Sequence, residues 1–154
     1  MNKEDVIYMS LEENKAIVRE FIEAYNKRNI DSLDEFVAPD YVDHTSKVGR
    51  EGLKQLMNMA FNAFPDLHET IEDIIAEGDK VWVRITFMGT NTGEWLGFAP
   101  TGRKVTSKNV DTYRIVNGKL AEYWNVTDAS DFNKQLGIIE YTEKGKKLFQ
   151  KDAK

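Results

Sequence analysis

The chain has 154 residues, 41% of them hydrophobic and 31% charged, which fits one globular domain with a core of its own. A net charge of -5 and a pI near 5.1 argue against non-specific nucleic-acid binding, which relies on basic patches, and no apolar run is long enough to span a membrane. With no cysteine there is no disulfide, thiolate zinc site or thiol nucleophile, and MNKEDVIYMSLEENK at the start has no apolar secretory core, so a cytoplasmic protein without nucleic-acid or membrane partners is expected.

Residues 1–9 read as a loose N-terminus. Ser10 with Glu13 forms a capping box ahead of a first helix, whose broad apolar stripe is Ile17, Phe21, Ala24 and Tyr25 flanked by Val18 and Ile22. Residues 29–34 make a turn, 32–37 a short second helix closed by Pro39-Asp40, and 41–44 a short extended piece. A third helix is predicted over 49–64, burying Leu53, Leu56, Met57, Ala60 and Phe61 and ended by Pro65-Asp66. Residues 67–76 are the first long strand, and Glu77-Gly78-Asp79 turns into the central stretch.

That stretch, 79–128, holds strands predicted over 79–90, 104–116 and 119–127, rich in Val, Ile, Thr, Phe and Tyr. Asn117-Gly118 between the last two marks a tight antiparallel hairpin, because both residues tolerate positive φ. Taken at period 2, neither face of these strands is purely apolar, so one face either lines a cavity with polar groups among aromatics or is a solvated face with ordinary ion pairs. Residues 129–136 form one or two helical turns ending at Gly137, and 138–154 is a tail that is either an amphipathic helix or a flexible end. Helices first and antiparallel strands after give an α+β layout, with N-terminal helices packed on the concave face of a bent sheet and a pocket between them. Trp82, Trp95, Phe98, Tyr113, Tyr123 and Trp124 are the aromatic supply for lining that pocket or for filling a plain core.

FPDL at 64–67, EGDKVWVR at 77–84, TGEWLGFAPTGRKV at 92–105 and DTYRIVNGKLAEYWNVTD at 111–128, followed by QLG at 135–137, resemble the SnoaL-like polyketide cyclases. These belong to the nuclear-transport-factor-2-like cone fold, together with ketosteroid isomerase and limonene-epoxide hydrolase. The resemblance implies a single SnoaL-like domain over 1–154 and a cone-shaped sheet. It also implies an intramolecular aldol condensation without metal or cofactor, run by an aspartate with histidine nearby. By motif the aspartate matches Asp128 and the histidine matches His44. Where many relatives carry a histidine and then an aspartate around the tryptophan, this chain has Tyr123 and Asn125.

Asp128 is either the acid/base group at the pocket mouth or the N-cap of the helix that follows it. Asp111 lies in a strand, where a carboxylate usually has a partner, and Arg84 on the preceding strand is the expected one, as a structural pair or as an oxyanion-stabilising one. His44 is either a pocket donor or a satisfied histidine, and His68 is assigned to the surface. The catalytic candidates are thus Asp128, His44, Asp111 and Arg84. The candidate binding residues for a hydrophobic small molecule are Trp82, Trp95, Phe98, Tyr113, Trp124 and Asn125. No histidine pair at ligand spacing exists, so no metal is expected. A limonene-epoxide-hydrolase-like reaction using Asp111, Arg84 and Asp128, and a non-catalytic binding protein of the same fold, are the alternatives. A homodimer through the outer sheet face is expected from the apolar supply and from the habit of the family resembled.

Overall fold

The computed structural model describes residues 9–149, without the side chain of Phe149. The expectation of a loose N-terminus therefore lies, but for Met9, outside the described residues, as does the end of the tail.

Ser10 Oγ accepts the backbone N–H of Glu13 and Glu13 returns a bond to the Ser10 N–H at 2.7 Å, opening α1 (Leu11–Asn26) as the capping box requires. A 3-10 turn (Ile30–Ser32) and the four-residue α2 (Leu33–Phe36) lead into β1 (Val37–Asp43). Pro39 does not stop this strand, which begins earlier than predicted: β1 is an edge of the sheet, where a missing backbone donor costs nothing. After α3 (Arg50–Ala63) come β2 (His68–Glu77), β3 (Lys80–Thr90), β4 (Lys104–Val116) and β5 (Lys119–Thr127), then α4 (Ala129–Leu136) and α5 (Glu143–Phe149). The tail thus holds a short helix.

The five strands form one sheet in the order β1-β5-β4-β3-β2. β2 to β5 pair antiparallel in succession, while β1 joins β5 parallel, a departure from an all-antiparallel sheet. The β4–β5 turn sits on Asn117 and Gly118 with φ of 51° and 75°. In β2 the register slips at Glu72, so Ile71 faces Ile85 but Asp73 faces Arg84. This bulge puts Glu69 and Ile71 on the inner face before it and Ile74 and Ala76 on the inner face after it.

Val81, Val83 and Ile85 of β3 pack with Val18, Phe21 and Ile22 of α1 in the main core. A second cluster, around Phe64, Leu67, Val105 and Leu136, joins the end of α3 to α4. The loop over 91–103 is fixed at its base by the buried Asn91. Its Oδ1 accepts the Thr101 N–H at 2.8 Å and its Nδ2 donates to the Gly93 carbonyl at 2.9 Å. Gly93 lies so close to α3 that a Cβ there would come within 2.0 Å of the Asn62 carbonyl oxygen. The α+β layout read from the order of elements is the one adopted.

Candidate active site

Between the inner sheet face and helices α1 and α3 lies a chamber of about 260 Å³. Its apolar wall comes from Phe21, Leu53, Met57 and Trp95; its polar wall holds Asp43, Glu69 and Asp111 with the hydroxyls of Tyr25, Tyr41, Tyr113 and Tyr123. Among the described residues no lysine, arginine or histidine lines it.

Asp111 stands opposite Val83 on β3 and Asn125 on β5, which sets it on the inward face. Only 4% exposed, it accepts from Asn125 Nδ2 at 2.6 Å and from the Tyr113 hydroxyl at 3.4 Å. Burial raises its carboxyl to about 6; bonds from Asn125, Tyr123 and Tyr113 hold the rise back, and the nearby Asp43 adds to it. Asp43 is 2% exposed and is spent on its own turn, its Oδ1 accepting the N–H groups of Thr45 and Ser46 at 2.8 Å each. Glu69 is placed by Asn26, whose amide bonds both its N–H and its C=O at 2.8 Å. Burial first, and then the charge of Asp111, push the Glu69 carboxyl up to about 8. Burial also raises the hydroxyls of Tyr25, Tyr41, Tyr113 and Tyr123, which therefore stay protonated and donate. The chamber can hold an uncharged, largely apolar molecule, take one proton from it and offer it several neutral donors.

A second hollow, of about 400 Å³, adjoins the chamber and shares Tyr25, Trp95 and Tyr123 with it. On its floor Asn109 Oδ1 accepts from the Ser107 and Thr127 hydroxyls at 2.8 and 2.7 Å, and Phe64, Phe87 and Phe132 stack edge to face beside it.

Of the predicted catalytic set, the structure brings only Asp111 into the chamber. Asp128 is not in the chamber but exposed at the start of α4, where it accepts the Asp131 N–H at 2.9 Å, the capping one of the two roles open to it. His44 is 41% exposed, stacks on Trp124 at 4.6 Å outside the chamber and meets Glu122 at 3.3 Å. Arg84 is not the partner of Asp111. Its register partner is Val110, so it projects from the outer face and pairs there with Asp73 across the β2–β3 ladder, Nε to Oδ2 at 2.9 Å. The trio an epoxide-hydrolase-like reaction needs is therefore not assembled.

Among the predicted binding residues, Trp95 and Tyr113 line the chamber and Asn125 lines the adjoining hollow. Trp82 and Trp124 instead lie on the outer sheet face, in register with Thr112 between them. Phe98 sits half-exposed at the loop tip, paired by its backbone with Trp95. Sequence reasoning did not place Tyr25, Tyr41, Asp43 or Glu69 in the site. The alternation of Tyr41 with Asp43 was a usable signal; for Glu69 the bulge removed it. Among the described residues no cluster of three or more acidic or histidine side chains is placed to hold a metal ion.

A family model of SnoaL-like polyketide cyclase matches residues 15–136. The chain is 27% identical over 123 residues to nogalonic acid methyl ester cyclase of Streptomyces nogalater, covering 75% of this chain and 91% of that protein. It is 28% identical over 134 residues to aklanonic acid methyl ester cyclase AcmA of Streptomyces galilaeus, covering 82% and 92%. The solved structure of AclR from Streptomyces galilaeus superposes with a TM-score of 0.79 at 33% identity, covering 88% of this chain and 87% of that one. With its cone of curved sheet and helices and a family match across most of its length, the chain belongs to the SnoaL-like polyketide cyclase family.

Proposed function

We propose that this protein is a cofactor-free acid/base cyclase, closing a ring in a hydrophobic carbonyl compound by an intramolecular aldol reaction with Asp111 as base. The observation that carries this reading is a buried carboxylate, raised to about 6, held among neutral donors on the chamber wall. Such a group is ionised near neutral pH yet basic enough to accept a proton. Asp111 removes a proton from the carbon next to a carbonyl, and the electron pair moves onto that oxygen as an enolate. The protonated tyrosine hydroxyls of the chamber are the donors available to it. The enolate carbon then attacks a second carbonyl carbon of the same molecule. The names of the curated relatives make a methyl ester the compound to try first.

The test offers aklanonic acid methyl ester to the protein and follows ring closure together with hydrogen–deuterium exchange at the activated carbon. Asp111→Asn is expected to lower both by roughly 100-fold or more. A compound that binds but is neither exchanged nor closed by the native protein would return the binding-protein reading.

Self-association belongs to the same proposal. Among the described residues, Ile75, Trp82, Thr112 and Trp124 stand in one cross-strand row of the outer sheet face, and Val110 and Val126 in the next beside the Asp73–Arg84 pair. Ile75 is 65% and Val126 72% exposed, and a second copy of the chain is the partner proposed for them.

A further inference from the structure

Four acids lie within eight residues at the start of β2, and three of them have partners. Asp66 accepts the backbone N–H of Thr90 at 2.6 Å, Glu72 accepts the Thr86 hydroxyl at 2.7 Å, and Asp73 pairs with Arg84. The carboxyl of Glu69 takes no hydrogen bond or ion pair from any described residue, although its main chain is clamped on both sides by Asn26. It lines the chamber instead. Glu69 is half-buried, and with its carboxyl facing the chamber rather than a partner, desolvation favours the neutral acid over the carboxylate.

We infer that Glu69 is a second catalytic group, the acid that protonates the oxygen formed when the ring closes; this rests on Asp111 being the base. The groups around Glu69 keep it in the acid form. The charge of Asp111 on β4 disfavours ionisation, in the same sense as burial, and Tyr25 on α1 and Tyr113 and Tyr123 on the sheet are neutral hydroxyls. On β1, Tyr41 is likewise neutral and Asp43 is held in its turn. Arg28, the nearby cation just beyond α1, is spent on the carbonyls of Asn26, Pro65 and Leu67 and on the Phe61 ring. The residues of α3 and β3 that face the chamber or the core here carry no ionisable group. At neutral pH the chamber therefore holds one carboxylate able to take a proton and one carboxylic acid able to give one, the division of labour an aldol closure needs.

The step balances with these two groups. Asp111 takes the proton from the activated carbon. The enolate carbon forms the new C–C bond, the π pair of the second carbonyl moves to its oxygen, and that oxygen takes the Glu69 proton to give the hydroxyl. Asp111 is left protonated and Glu69 ionised; loss of one proton from Asp111 to water and gain of one by Glu69 from water reset the chamber without any co-reactant.

Glu69→Gln keeps size and polarity but cannot hand over a proton. With aklanonic acid methyl ester as probe, E69Q is expected to exchange the activated hydrogen at about the native rate. Ring closure should slow roughly 100-fold, and the alkaline limb of the pH profile should disappear. D111N loses both exchange and closure. Native-rate closure in E69Q, an alkaline limb that persists, or loss of exchange along with closure in a folded E69Q would each overturn the assignment of Glu69. Equal exchange in the native protein and D111N would instead overturn the reading of Asp111, and Glu69 with it. A carbon-13 carboxyl titration of the native protein needs no variant to fold: a Glu69 signal moving in the ordinary carboxylate range overturns the inference, and one moving near pH 8 supports it.

Discussion

Asn125 on β5 donates to Asp111 on β4 at 2.6 Å, and the two stand directly opposite each other in the strand register. The bond favours the ionised form of Asp111 and works against the burial that raises it. Asn125→Ala should therefore move the acid limb of the pH–rate profile upward from about 6. Opposed residues in an antiparallel pair lie only about 5 Å apart, so the double change Asp111→Asn with Asn125→Asp carries the carboxylate across one ladder without leaving the inner face. It is expected to recover at least roughly 10-fold of the exchange activity lost in Asp111→Asn alone. Hydrogen–deuterium exchange on the same probe checks both variants.

Stability should fall as pH rises from about 5 to about 8. Asp111 and Glu69 are raised to about 6 and about 8, so the folded chain holds protons that the unfolded chain has already lost. The unfolded state then binds fewer protons, and the slope of stability against pH is negative across that window. The carboxyls lowered by their partners, such as Asp66 and Glu122, titrate below the window and do not alter the sign. Urea midpoints at pH 5, 6.5 and 8 measure the slope, which Asp111→Asn and Glu69→Gln should each flatten.

Asp128 separates capping from catalysis. Asp128→Ala removes the oxygen that accepts the Asp131 N–H and should cost about 1 kcal/mol of stability, whereas Asp128→Asn keeps an oxygen there and should cost little. Turnover is expected to match the native protein in both. A large loss of turnover in Asp128→Asn with an unchanged melting temperature would restore Asp128 as the acid/base residue.

Charging the outer sheet face should split the proposed dimer. Val126 is 72% exposed, so Val126→Glu disturbs no core contact and should leave the melting behaviour of the monomer unchanged. Sedimentation velocity at micromolar concentration is expected to show a native dimer and a Val126→Glu monomer. A native monomer would dispose of the proposal.

The local signals were legible because they act over a few residues. The Ser10–Glu13 box, the Asn117-Gly118 turn and the arrest of α4 at Gly137, where φ is 78°, each depend on one turn of chain. What was hidden depends on register. Thirteen residues of loop separate β3 from β4, so sequence alone does not reveal that Arg84 faces Val110 while Asp111 faces Val83, and the expected Arg84–Asp111 pair fails because the two project from opposite faces. The bulge at Glu72 has the same effect within one strand. Counted back from Ala76 and Ile74, period 2 sends Glu69 to the outside; the extra residue turns it inward. Aromatic character alone suggests Trp82 and Trp124 for the pocket, but their parity puts them on the other side of the sheet.

The two rims of the sheet are both poor templates for a further strand. Pro39 interrupts the donors of β1, and β2 is kinked by its bulge and lined by Glu72, Asp73 and Glu77. The exposed apolar side chains Ile75, Val110 and Val126 lie instead on the flat of the sheet. Rim-to-rim contact repeats in a line and can grow without limit, whereas flat-to-flat contact about a two-fold axis uses up both surfaces at once. The bulge that turns Glu69 toward the chamber thus also helps keep this sheet from extending into a filament.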